Sequence, residues 1–318
     1  MTTPLQAVWR GAQAVLHARR MLLVFWLCTL AFALAIVLPL GAWMYEDLGH
    51  SLYAQRMLDN FDLQWLLEAL LETGWRPLVM FPALLAAVTL GYVLLGTFLA
   101  GGAIAVFASQ DGLYRPGLFY EGCGRNFGRL LRLALISWLF YGVVLGLEVG
   151  LKALGKFIWG HGMEEYPLVI FGWFRTGLTI LLLLLVNMLF DYAKIRLVVE
   201  DSRRSWRAAF AAVNLVFRNF GRTSSTYSTV AAGAVALALA CHAAAGPLQS
   251  SQALAMALLL VLQQTFILGR IGVKLLFFAG QLEIYRDIAA APAVLETESE
   301  SQSGAGALDV GEEPENLV

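Results

Sequence analysis

The chain has 318 residues, 59% hydrophobic and 14% charged, with a formal net charge of −1. Soluble domains carry nearer a quarter charged residues, which excludes an ordinary water-soluble globule. Apolar runs of about twenty residues, enough to cross a bilayer as helices, recur without the alternation of barrel strands. The fold class that remains is an all-α polytopic membrane protein.

Residues 3–20 come first. Leu5, Val8, Trp9, Ala12, Val15 and Leu16 share one helical face, and Arg10, Arg19 and Arg20 add positive charge. This pattern predicts an interfacial helix with its apolar side in the headgroup boundary. Span one follows at 21–44. It exceeds the apolar core of a secretion signal, about 7–15 residues, so a retained span is expected. The loop at 45–76 is acidic and contains a short amphipathic helix candidate at 61–71. Span two covers 77–109, more than a perpendicular helix needs, so it tilts, breaks or projects beyond the bilayer, with Pro82, Gly91, Gly96, Gly101 and Gly102 as candidate bend points.

A basic segment at 110–132 leads into span three at 130–151. A loop with His161, Glu164 and Glu165 precedes span four at 167–199. A basic elbow helix follows, then span five at 224–245 and span six at 253–280. Residues 1–287 thus form the membrane domain. The tail at 288–318 is acidic, has no Lys or Arg, and cannot build a core, so disorder is expected.

Basic residues gather on the side that holds both termini, for example Arg10, Arg19, Arg20, Arg125, Arg129, Arg132, Lys194, Arg196, Arg218 and Arg222. The opposite loops keep few, among them Arg56, Arg76, Lys152 and Lys156. Positive charge marks the cytosolic side, so both termini are expected in the cytosol and the chain in the cytoplasmic (inner) membrane.

Arg-Asn-Phe-Gly-Arg occurs twice, at 125–129 and 218–222, each time after a basic segment and before a span. His17-Ala18-Arg19-Arg20 holds the same place before span one. The implied unit is an elbow helix followed by a two-span hairpin, three times over, as parallel repeats about an axis along the membrane normal. In the third elbow Trp206, Phe210, Val213 and Phe217 lie on one face, flanked by Arg204, Arg207, Asn214 and Arg218. Arg125, Arg129, Arg204, Arg207, Arg218 and Arg222 are therefore the candidate headgroup contacts. The simpler reading of the same residues is a positive-inside anchor.

Asn187, Asp191, Lys194, Arg196, Gln263, Gln264, Arg270 and Lys274 form a polar set inside spans four and six. Charges within spans pair or line a wet cavity. An ion or proton pathway is one reading. The other is a structural pair of Asp191 with Arg270 that links two hairpins, with Lys194, Arg196 and Lys274 snorkelling to the interface; the scarcity of acids favours this one. Asn187, Gln263 and Gln264 line a path or bond between helices. Gly142, Gly146 and Gly150 form a GxxxGxxxG face, expected to pack against a neighbouring span, with homo-oligomerisation as the alternative.

His50, His161 and His242 lack the close spacing of a metal motif, and no nucleophile or phosphate-loop motif is present. Cys28, Cys123 and Cys241 are scattered and form no disulfide or zinc framework. No metal, cofactor or nucleic acid is expected.

The run Asp191-Tyr192-Ala193-Lys194-Ile195-Arg196, the Arg-rich elbow after it, and a last span ending in Gln281-Leu282-Glu283-Ile284-Tyr285 resemble uncharacterised bacterial six-span proteins. These in turn are similar to the membrane domain found beside glycerophosphodiester phosphodiesterases. The resemblance implies a six-span membrane domain and carries over no catalytic residue, since the chain has no room for the phosphodiesterase barrel. The expected function is a non-enzymatic membrane scaffold or accessory protein engaging lipids, anionic ones included, or partner membrane proteins. The alternative is a permease for a small anionic or amphiphilic solute, through a cavity between the hairpins.

Overall fold

The computed structural model describes residues 3–48, 75–109, 112–159, 165–201, 205–248 and 253–308. It is 96% helical, with no strand among these residues. The helices are α1 (Pro4–His17), α2 (Arg19–Leu48), α3 (Trp75–Ala108), α4 (Pro116–Trp159), α5 (Glu165–Val199), α6 (Ser205–Arg218), α7 (Phe220–Ala245) and α8 (Ala253–Leu308). Six of them are long and apolar enough to cross a membrane, over Arg19–Trp43, Pro82–Ala108, Pro116–Ile158, Val169–Val199, Phe220–Leu248 and Ala253–Ala290. The chain is an all-α polytopic membrane protein. The acidic loop with its helix candidate at 61–71, together with His50, His161, Glu164 and Arg204, lies outside the described residues.

Local chemistry sets the first helix. Thr3 and Gln6 form a capping box: the Gln6 amide donates to Thr3 Oγ1 at 3.3 Å and the Thr3 amide donates to Gln6 Oε1 at 3.1 Å. Pro4 follows at the position where its missing N–H costs nothing.

The spans pair as hairpins, α2 with α3, α4 with α5, and α7 with α8. The second helices α3, α5 and α8 all touch one another. Their C-terminal ends are tied by side chains. Arg286 donates to the carbonyls of Phe107 and Ala108 at 3.0 and 2.9 Å, and the Tyr285 hydroxyl donates to Glu200 at 2.6 Å. The elbows sit at this same end. α6 packs on α5 and α4, the first turns of α4 pack on α3, and α1 packs on α8 and α7. Each elbow thus docks on the hairpin before it, and the first docks on the last, which closes a ring.

The three elbows repeat in detail. Met21 and Leu22 amides donate to the Ala18 carbonyl, and Arg222 and Thr223 amides donate to that of Asn219. The Asn219 side chain donates to the Leu215 carbonyl at 3.2 Å, and Asn126 donates to that of Gly122 at 2.9 Å. Gly11, Val15 and Phe25 are buried; so are Phe119, Cys123 and Leu133, and so are Ala212, Val216 and Thr226. One difference corrects the expected plan. The second elbow is no separate helix, because α4 runs unbroken from Pro116 to Trp159. Glycines at 101 and 102 strip side chains from α3 where α4 passes, so the first turns of α4 lie along it without bending away.

The core is confined to the elbow end. Met21, Phe25, Ile104, Phe107, Phe119, Leu133, Tyr192, Ile195, Leu275 and Leu282 are all buried there. In the far halves of the six spans only Val144 and Gly155 are buried among the described residues. Leu34, Leu38, Leu85, Leu139, Leu239 and Leu260 stay exposed, as lipid-facing side chains do.

One further expectation is corrected. Gly142, Gly146 and Gly150 face open space rather than a neighbouring span. Close approach falls instead at Gly11 against Gly280 and at Gly101 and Gly102 against the Gly122 turn, where backbones meet across crossing helices. α3 is one helix from Trp75 to Ala108, with Pro82 inside it. α8 extends as helix through residues 288–308, and residues 309–318 lie outside the described ones. A composition that cannot build a core does not stop helix extension, and Ala289, Ala290 and Ala291 are the strongest helix formers.

Candidate functional site

Asn187 and Asp191 stand one turn apart on α5 and begin a polar network at the centre of the bundle. The Asn187 side-chain amide donates to the Tyr227 hydroxyl at 2.7 Å and to Asp191 Oδ2 at 3.5 Å. Its carbonyl accepts from the Tyr141 hydroxyl at 3.2 Å. One side chain therefore joins α4, α5 and α7, the use that polar groups find between spans. Asp191 is buried, and its Oδ1 accepts from Lys194 Nζ at 2.8 Å.

The expected pairing of Asp191 with Arg270 is thus corrected. Lys194 lies three residues on along the same helix face, and this neighbour takes the carboxylate. Arg270 is left without an ion pair or hydrogen bond among the described residues.

Arg270 and Lys274 are also one turn apart, on α8, and both side chains are exposed. The Lys274 ammonium lies 5.9 Å from the centre of the Phe25 ring on α2. A methyl group on Gly96 of α3 would be 3.8 Å from it. Its charged neighbours are Lys194, Asp191 and Arg270. The ammonium has groups of α2, α3, α5 and α8 as neighbours and its side chain is exposed, so accessible space, a hollow, adjoins it. Beside it the Trp26 indole N–H donates to Gln264 Oε1 at 3.0 Å, which ties α2 to α8. The hollow holds three cations and one carboxylate, hence two uncompensated positive charges.

The remaining predicted residues disperse. Gln263 faces a separate cleft between α7 and α8, with Cys241 and His242. Arg196 pairs with Glu200 at 2.9 Å at the end of α5. Arg129 pairs with Asp201 across the α5–α6 turn. Arg125 and Arg218 are exposed and Arg222 is half-buried, while Arg207 is placed by its backbone only.

Sequence reasoning missed Glu148. Its carboxylate pairs with Arg175 Nε at 3.0 Å and accepts from the Thr179 hydroxyl at 2.6 Å, joining α4 to α5 in the far half. The signal was present, since Glu148 is the single acid between 130 and 151.

Among the described residues no three His, Cys, Asp or Glu side chains converge to hold a metal ion. What the central arrangement can do is attract and hold negative charge. No family model matches the chain, and no curated protein or solved structure is significantly similar to it.

Proposed function

We propose that the protein is a non-enzymatic accessory protein of the cytoplasmic membrane that engages anionic lipids through its elbows, with both termini in the cytosol. In plan it follows the membrane domain found beside glycerophosphodiester phosphodiesterases. The observation that carries this reading is the two-faced character of the elbows. Small residues dock inward: Ala7 and Gly11 of α1, Ala212 of α6. Large apolar ones stay outward: Leu5, Trp9 and Leu16 of α1, Trp206, Phe210 and Phe217 of α6. Such a face enters the acyl boundary while guanidinium groups such as exposed Arg125 and Arg218 meet lipid phosphates. Between α6 and the α4–α5 hairpin an apolar groove lined by Ile136, Phe140, Phe190, Trp206, Phe210 and Val213 suits an acyl chain.

Native mass spectrometry from nanodiscs, with lipidomics of what is retained, tests the reading. A retained anionic lipid that is lost when Arg204, Arg207 and Arg218 become Gln supports it. A bare protein with no lipid preference sinks it.

The second reading is a permease for a small anionic or amphiphilic solute. The hollow around Lys274 and the loosely packed far half of the bundle favour it. Anion flux into proteoliposomes, abolished by Lys274→Met, is its test.

A further inference from the structure

We infer that the hollow between α2, α3, α5 and α8 is a binding site for a phosphate monoester or free phosphate, with Arg270 and Lys274 as its ligands. Four observations carry this. Arg270 and Lys274 project from one face of α8 within a membrane-spanning stretch, where an uncompensated charge is costly and marks a site that something fills. The one nearby carboxylate, Asp191, is already held by Lys194 at 2.8 Å. Asp191 stands nine positions before Glu200, about 14 Å of helix, so the site lies some two and a half turns in from the elbow end of α5. Finally, Gly96 of α3 faces the Lys274 ammonium, and a methyl group there would stand 3.8 Å from it in ordinary contact.

The charge balance selects the ligand class. Lys194, Arg270 and Lys274 against Asp191 leave a net of two positive charges. A phosphate monoester carries about −1.5 to −2 at neutral pH, whereas a phosphodiester or carboxylate carries one charge. Arg270 offers a planar fork of donors that binds two phosphoryl oxygens together, and Lys274 adds a mobile point charge. The monoester comes either from the headgroup of a lipid such as phosphatidic acid, with its chains in the open far half, or from inorganic phosphate in water. The site is separate from the elbow faces and does not depend on the lipid reading of those faces.

The test uses the full chain in phosphatidylcholine nanodiscs doped with phosphatidic acid or phosphatidylglycerol, read by native mass spectrometry. In parallel, thermal unfolding in detergent is followed with inorganic phosphate against chloride at matched ionic strength. The expected result is a preference of about tenfold or more for the monoester over the diester lipid, or a phosphate-specific rise in melting temperature. The first alone identifies a headgroup site, and the second identifies one open to free phosphate. Either effect must vanish in Arg270→Gln and Lys274→Met and survive in Arg218→Gln, which touches only an elbow.

Arg270→Lys, which keeps the charge, must retain part of it. Equal retention of the two lipids together with no phosphate effect overturns the inference, as does an effect that persists in Arg270→Gln. Should Arg270→Gln fail to fold, the comparison of monoester with diester and phosphate with chloride on the unmodified chain decides alone.

Discussion

Gly11 of α1 and Gly280 of α8 approach so closely that a methyl group on Gly11 would stand 2.9 Å from the Gly280 nitrogen and 3.2 Å from its Cα. Both atoms belong to the backbone and cannot swing aside. This contact seats the first elbow on the last span and so closes the ring of three hairpins. Gly11→Ala is expected to destabilise the protein by about 1–3 kcal/mol, the usual cost of forcing extra volume into a packed site. Gly142→Ala is the contrast, because a methyl group there meets nothing within 4 Å and the helix gains propensity. Thermal unfolding in detergent should show a clear fall for the first and none for the second. Equal behaviour of the two would mean that the ring is not closed at Gly11.

Asn126 and Asn219 make the same bond to the carbonyl four residues before them, but in different surroundings. Asn219 stands at the break between α6 and α7 and is half-buried, so its amide satisfies a carbonyl at a helix end. Asn126 is fully buried, and its own Oδ1 has no partner. Asn219→Ala is therefore expected to cost about 1 kcal/mol. Asn126→Ala should cost less, because it removes an unsatisfied buried oxygen along with the bond. Melting temperatures of the two variants in the same detergent test the order, and the reverse order would contradict the surroundings described for the two residues.

Glu148 ties the hairpin of α4 and α5 where little else is buried. Its carboxylate meets Arg175 at 3.0 Å and the Thr179 hydroxyl at 2.6 Å. Glu148→Gln keeps the shape and leaves Arg175 without its countercharge. The pair is partly exposed, so the loss should fall between the ~1 kcal/mol of a surface pair and the ~3–5 kcal/mol of a buried one. A charge swap, Glu148→Arg with Arg175→Glu, should recover more stability than the sum of the single losses allows. A swap that is merely additive would show that the two side chains act apart.

The six spans were legible because a membrane helix declares itself by length and hydropathy alone. The elbows were legible from Arg-Asn-Phe-Gly-Arg at 125–129 and 218–222 and from the arginines before span one. What lies opposite each elbow was not legible. Gly11 and Gly280 look no different in sequence from Gly142 and Gly146, and only the crossing of helices tells which pair meets. The same holds for charge. The residue types alone allow Asp191 to pair with Arg270 across the bundle, whereas Lys194, three residues away on its own helix, offers the shorter path for a side chain. With Asp191 held by Lys194, Arg270 and Lys274 of α8 have no carboxylate partner among the described residues.

Asp191 is the carboxylate that enters the charge balance around Lys274. Asp191→Asn leaves the Asn187 and Tyr227 side chains in place but removes the one carboxylate from the hollow. Lys194 loses its partner, and the net charge around Lys274 rises from two positive to three. Without a bound anion the variant should be less stable than the parent, because like charges repel in a setting of low dielectric. With phosphate present the order of responses reverses, and the melting temperature of Asp191→Asn should rise further than that of the parent, since a third cation has become free to bind it. Titrating phosphate against both proteins while following thermal unfolding checks this. A loss of stability that phosphate does not restore would place Lys194 away from the two cations of α8 and leave the hollow without a shared anion.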